Sequence, residues 1–264
     1  MKKLFLFALL GLFALSCNDH SQPTPADTCK LAQFINVNGT NDFTYDATGG
    51  LSKWLITRVF PDSTSFVVNY DFTRDATGRI SSLNQTITDA GVNVGAATAT
   101  FTYTNGLLTS TSTSTEPGQP ATISRTFTYD NNGRMTKRVV TDTKNNFSST
   151  ETYEYDSRGN CTKYNQINTF GYKEERVFTY DNSKNPEQLL TKSIPFNLLT
   201  GLPWSVNVAV TTKTTFDYGK GPEPDNSTRS NVKTGANGYV TSATETFESD
   251  GYMAKETYTL TGCK

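Results

Sequence analysis

The stretch Phe127–Val140, FTYDNNGRMTKRVV, reads as a β-hairpin. Phe127 and Tyr129 alternate with Thr126 and Thr128, the period of a strand with one buried face, in residue types that favour pleated structure. Asp130 opens a turn, since Asp at its first position accepts from backbone amides ahead of it. Gly133 closes the turn, because glycine takes positive φ at little steric cost. Met135 and Val139 then alternate with Thr136 and Arg138, so a second strand returns.

The same plan recurs. It reads at Phe43-Thr-Tyr45-Asp46 with Gly49 and Leu51, at Phe72 and Asp75 with Gly78 and Ile80, and at Phe101-Thr-Tyr103 with Gly106 and Leu108. It reads again at Tyr153-Glu-Tyr155-Asp156 with Gly159 and Cys161, and at Phe178-Thr-Tyr180-Asp181, where Lys184 stands in for the glycine. Weaker copies occur at Phe216-Asp-Tyr218, at Gly238 with Val240, and at Phe247 with Asp250, Gly251 and Met253. Positions 46, 75, 104, 130, 156 and 181 are spaced by 29, 29, 26, 26 and 25 residues. Such a period marks a repeat architecture in which each copy needs its neighbours to bury its apolar face. The gaps leave no room for crossover helices, so consecutive strands pair antiparallel. The expected fold is all-β: an up-and-down meander of about 14 to 18 strands curled into a closed or half-open soluble barrel.

The chain divides into three parts. Residues 1–16 combine Lys2 and Lys3 with an apolar run from Leu4 to Leu15, too short to span a bilayer and suited to an export signal. Ser16-Cys17 resembles the lipobox of bacterial lipoproteins, which implies that Cys17 is the lipid-attachment residue; an ordinary secretory signal is the plainer alternative. Residues 17–28 are polar and proline-containing, a tether between lipid and domain. Residues 29–264 form one repeat-built domain. The expected address is the outer membrane, reached through the N-terminal lipid only, with the periplasmic and surface faces both open.

The chain carries 24 basic and 25 acidic residues, a balance that argues against nucleic acid as a partner. Only 35% is hydrophobic, yet 16 Phe, 13 Tyr and 2 Trp are present, which suits a sheet with one aromatic face. Cys161 occupies the slot held elsewhere by Leu51, Ile80, Leu108, Met135, Val240 and Met253, so it reads as a buried, inert thiol. Cys29 and Cys263 lie at the two ends of the domain and are natural disulfide partners in an exported protein; two unpaired cysteines is the other reading.

An apolar insertion interrupts the repeats at Ile194–Trp204. Its prolines forbid a central strand, and it reads either as a plug for an open barrel end or as a ligand or partner patch of Phe196, Leu198, Leu199, Leu202 and Trp204. Gly219–Ser230 reads as a polar loop. Lys53, Lys137, Lys163 and Lys255 recur two places after the apolar slot, either as a basic stripe for an acidic polysaccharide or as separately neutralised surface charges.

His20, in the tether, is the single histidine. Without another, the usual general base, the Ser-His and Cys-His pairs and the common zinc sets are missing, so no catalytic residue and no cofactor is expected. The repeated aspartates have a turn-forming role, and their spacing does not fit a calcium loop, so no metal is expected either. The aromatic-x-Tyr-Asp-x-x-Gly-Arg units resemble the tyrosine-aspartate repeats of Rhs-type proteins. With the lipobox-like start, the chain is more similar still to Bacteroidetes lipoproteins of unknown function with a porin-like fold. Outward Thr128, Glu154, Asp217 and Glu248 argue against a lipid-facing wall. Two non-enzymatic functions stand: a binding or scaffold module for a glycan, peptide or protein, or a carrier that holds a hydrophobic, lipid-like ligand in an aromatic-lined open barrel.

Overall fold

The computed structural model describes residues 29–36, 39–60, 63–116, 118–191, 193–194, 196 and 201–263. The signal segment, Cys17, the tether with His20, and Leu198 and Leu199 lie outside the described residues.

Sixteen strands close into one antiparallel barrel in sequence order. The first eight are β1 Lys30–Asn36, β2 Gly39–Tyr45, β3 Leu51–Val59, β4 Ser65–Arg74, β5 Ile80–Asp89, β6 Val92–Thr104, β7 Leu107–Ser114 and β8 Ile123–Tyr129. The second eight are β9 Met135–Asp142, β10 Phe147–Tyr155, β11 Cys161–Asn168, β12 Lys173–Lys184, β13 Asn207–Asp217, β14 Pro222–Thr234, β15 Val240–Phe247 and β16 Met253–Thr261. Pairing of β1 with β16 shuts the barrel and leaves no sheet edge, and the Cys29–Cys263 disulfide ties the two ends beside that seam.

Four hairpin turns on one rim share one chemistry. Asp130 Oδ1 accepts from the amides of Asn132 and Arg134, both at 2.9 Å, and Gly133 has φ +74°. Asp46, Asp75 and Asp156 make the equivalent contacts at positions two and four ahead. Neighbouring units are then tied by the residue preceding the aspartate. The hydroxyls of Tyr45, Tyr129 and Tyr155 donate to the carbonyls of Leu31, Leu108 and Met135 at 2.8, 2.8 and 2.7 Å. Arg74 stands where the others have tyrosine, and its guanidinium donates to the Leu51 carbonyl at 2.9 Å.

One feature of every unit escapes simple alternation. Strand register shifts at Thr44/Tyr45, Thr73/Arg74, Thr102/Tyr103, Thr128/Tyr129 and Glu154/Tyr155, next to the turn. Such a bulge reverses the facing of the residues beyond it. The slot residue and the residue three beyond it therefore both face inward: Leu51 with Trp54, Ile80 with Leu83, Cys161 with Tyr164. For the same reason Arg138, which alternation from Met135 sends outward, is buried inside, and Val139 faces away. Many outward positions are polar, as at the exposed Thr98, Thr100, Thr102, Thr128, Thr152 and Glu154, although Val59, Val92, Val94, Ile167 and Val177 are exposed as well.

Three expectations are corrected, and one open alternative is decided. The unit at Asp181 is not a hairpin: Asp181 still accepts from the Ser183 amide, but with Lys184 in place of glycine the chain runs on across the rim into the barrel. The copies at Phe216 and Phe247 belong to turns on the opposite rim, and Met253 is 67% exposed rather than a slot residue. Gly219–Ser230 is no loop, because β14 begins at Pro222. Pro222 and Pro224 are tolerated because that end of β14 pairs with β13 alone, β15 joining only from Ser227. Of the two readings of Lys53, Lys137, Lys163 and Lys255, the continuous stripe is set aside: they lie on β3, β9, β11 and β16, never on adjacent strands, and Lys163 is paired with Glu175 at 2.7 Å, as separately neutralised charges would be.

Candidate functional site: a plugged barrel and its lumen

Between β12 and β13 the chain leaves the wall and fills the barrel at the turn-bearing end. Asn185 starts this plug, its side chain accepting from the Glu187 amide to cap a short 3-10 turn, Pro186–Leu190. Leu190 and Ile194 are fully buried, and the Trp204 indole donates to the Ile194 carbonyl at 2.7 Å. Plug serines latch onto wall residues at the apolar slots: Ser193 Oγ accepts from the Leu51 amide and Ser205 Oγ from the Cys161 amide, both at 3.1 Å. Phe196 packs on Phe127 with centroids 5.2 Å apart, under the Arg138 guanidinium. Gly201 is required where it stands: its φ is +72°, and a Cβ there would fall on the Arg138 guanidinium.

The structure thus brings Phe196, Leu202 and Trp204 into the barrel rather than onto its surface. Phe196 and Trp204 are 3% and 9% exposed. Leu202 and Trp204 line a cavity of about 440 Å³ in the lumen. Phe34, Phe43, Trp54, Phe178 and Tyr258 supply its aromatic wall. Facing them are Arg176, Glu187, Asp225, Arg229, Glu245 and Glu256.

These charges are arranged, not scattered. Arg229 Nε lies 2.8 Å from Glu256 Oε2, its Nη2 3.3 Å from Glu245 Oε1, and its Nη1 donates to the Ala209 carbonyl at 3.0 Å. Burial works against the guanidinium, but Glu256 and Glu245 outweigh it and hold Arg229 firmly ionised. Glu187 faces the same space with no cation bonded to it among the described residues. Burial, and then the Glu256 carboxylate, raise its pKa to about 7, with Arg229 opposing. The lumen therefore offers flat aromatic surface beside an ion-pair network and one carboxyl that titrates near neutrality. That combination suits an amphipathic small molecule.

Sequence reasoning missed Arg229, Glu245, Glu256 and Glu187. A signal existed in the alternation of β15 and β16, where Glu245 and Glu256 share the parity of Phe247 and Tyr258, and Arg229 of β14 pairs across from Glu245. Cys161 is buried and unpaired among the cysteines described, and burial pushes its thiol up to about 12. Among the described residues no group of three or more His, Cys, Asp or Glu is placed to hold a metal ion.

The fold and lumen together define a closed, internally plugged sixteen-stranded antiparallel barrel. Among solved structures, the chain is similar to a porin-like protein from Bacteroides uniformis, with 14% identity, TM-score 0.48, and coverage of 82% of this chain and 100% of that one. It is similar also to a porin-like protein from Bacteroides vulgatus, with 8% identity, TM-score 0.40, and coverage of 87% and 98%. A third likeness is to the Photorhabdus luminescens Tc holotoxin pore, with 14% identity, TM-score 0.32, and coverage of 83% of this chain and 14% of that one. No protein-family model matches the sequence, and neither does any curated protein.

Proposed function

We propose that this protein is a non-enzymatic binding module of the cell envelope that holds a small amphipathic ligand inside its barrel. The observation that carries the reading is the aromatic- and charge-lined cavity of about 440 Å³ between plug and wall. Cavities of several hundred Å³ with apolar walls and a few fixed polar groups are the usual form of small-molecule sites. This supports the carrier reading over a scaffold that uses its outer surface, since Phe196 and Trp204 are turned inward. The ion pairs at Arg229 argue against a wholly hydrophobic lipid and for a ligand with a polar end.

Attachment through Cys17 to the outer membrane belongs to the same proposal. Its support is the lipobox-like Ser16-Cys17 and outward strand positions such as Thr98, Thr100, Thr102, Thr128 and Glu154, where a lipid-embedded barrel would carry an apolar band.

The test is native mass spectrometry of the full chain purified from the organism that makes it, with uptake of the amphipathic dye 1-anilinonaphthalene-8-sulfonate by the folded protein as a second readout. A co-purifying small-molecule mass, or dye fluorescence lost in a Trp204→Ala variant that still melts cooperatively, supports the reading. A bare chain mass together with no dye uptake in the native state overturns it.

A further inference from the structure

A second, smaller cavity of about 190 Å³ lies elsewhere in the lumen and shares no lining residue with the larger one. Its polar side is Arg125, Thr111, Thr113, Tyr70 and Gln85; its apolar side includes Leu83, Ala99, Phe101 and Phe196. Every other arginine inside this barrel has a carboxylate: Arg138 has Glu151, Arg176 has Glu174, and Arg229 has Glu245 and Glu256. Arg125 has none among the described residues. Its one bond goes from Nη1 to the Thr113 hydroxyl at 3.0 Å.

The charged groups around it cannot serve instead. Glu151 is nearby but is held by Arg138 through two contacts of 2.8 Å, and it also accepts from the Tyr153 hydroxyl at 2.6 Å. Arg138 itself repels a second cation. Burial, and then Arg138, bring the Arg125 pKa down, with Glu151 and Tyr70 opposing. Arg125 is partly buried, and a guanidinium that has lost part of its hydration without gaining a counter-charge is costly unless something else supplies the negative charge.

A second observation points into the same space. Thr111 is 4% exposed and its Oγ1 has no hydrogen-bond partner, although buried hydroxyls are nearly always paired. Thr111 lies directly across the β7–β8 ladder from Arg125, so the two side chains share the inward face. Tyr70 Oη accepts from Gln85 Nε2 at 3.2 Å, which leaves its own proton free to donate. An orphan hydroxyl, a phenol proton and an unpaired guanidinium thus line one small space with apolar walls.

We propose that this cavity is a binding site for a small organic carboxylate, held by Arg125 with Thr111 and Tyr70 as further donors and with its hydrocarbon body against Leu83, Phe101 and Phe196. Arg presents a planar fork that matches both oxygens of a carboxylate. The space admits a body of only a few carbon atoms or one ring. The site stands whether or not the larger cavity holds a ligand, because their linings are separate.

The experiment uses the full chain and four probes: benzoate and butyrate, with benzamide and butyramide as neutral matches of the same shape. Melting curves and direct calorimetric titration are read for the wild type and for Arg125→Met. Wild type should bind a carboxylate probe and melt higher with it, the amides should bind at least tenfold more weakly, and Arg125→Met should lose the difference. Arg125→Met should also melt higher than wild type without ligand, because it removes a partly buried charge that has no counter-ion among the described residues. A merely structural Arg125 predicts the opposite sign. The proposal is overturned if neither acid binds, if acid and amide bind alike, or if Arg125→Met binds benzoate as wild type does. It is overturned also if chloride at equal concentration displaces the acid fully, which would mark the site as one for a bare inorganic anion.

Discussion

The Tyr155 hydroxyl donates to the Met135 carbonyl at 2.7 Å, so one hairpin is bolted to the apolar slot of the hairpin before it. Arg134 of that earlier unit lies over the Tyr155 ring at 5.1 Å and donates to the Asp156 carbonyl at 3.1 Å, which gives the junction a second fastening. Tyr155→Phe keeps the ring and the cation–π contact but leaves a carbonyl short of its donor. We expect a loss of about 1 kcal/mol in urea unfolding, with the slope unchanged. A loss below a few tenths would mean that water replaces the phenol and that the tyrosine is kept for its ring alone.

The turn aspartates should make the fold sensitive to acid. Partial burial works against ionisation of Asp130, but the Arg134 amide and guanidinium and the Asn132 amide outweigh it and hold the pKa below the usual value. The Thr48 and Thr77 side chains, then backbone amides, do the same for Asp46 and Asp75. Because the folded pKa is the lower one, this stabilisation is complete above the unfolded value near pH 4 and disappears as pH falls through the folded values. Melting temperature should therefore drop between about pH 4 and 2. Asp130→Ala should cost about 1 kcal/mol at pH 7 from its lost turn bonds and should lessen the acid dependence. An acid limb as steep in the variant as in the wild type would place the effect elsewhere.

The Cys29–Cys263 bridge closes a loop spanning 234 residues of sequence beside the β1–β16 seam. In the chain-entropy model a loop this long gains at most about 5 kcal/mol, with denatured-state structure reducing it. Reduction should lower the melting temperature by several degrees while the barrel still melts cooperatively. Free reaction of both thiols before reduction, with an unchanged melting curve, would exclude the bond.

The rim of this barrel was legible in the sequence because local chemistry decides it. Asp130 and Gly133 name a turn, and Phe127 and Tyr129 name a buried face, with no help from distant residues. The lumen was less legible for a physical reason. A bulge beside each turn moves Arg138 to the inward face, and alternation counted from Met135 has no means of registering one extra residue. Arg125, by contrast, keeps the parity of Phe127 and Tyr129, and a charged residue on an aromatic face was the available sign of an interior polar site. The ion pairs of Arg229 and Glu256 depend on which strands become neighbours, and pairing order reveals that where local pattern does not. The insertion's apolar character suited both a plug and a patch, and only the closure of the wall around Phe196 and Trp204 separates them.

Glu187 gives the lumen its own pH response. It lies on the plug with its carboxyl toward the larger cavity, and burial followed by Glu256 raises its pKa to about 7. An ordinary unfolded-state glutamate titrates near about 4.3. Between those values the folded chain holds a proton that the unfolded chain has released, so stability from this group is complete below the unfolded pKa and declines as pH rises through about 7. Glu187→Gln fixes the neutral form. It should leave the melting temperature near pH 4 almost unchanged and raise it at pH 8, and dye uptake into the larger cavity should lose its dependence on pH between 6 and 8. A variant that is less stable than wild type at pH 8 but not near pH 4 would show instead that the Glu187 carboxylate is needed charged, as a partner of Arg229.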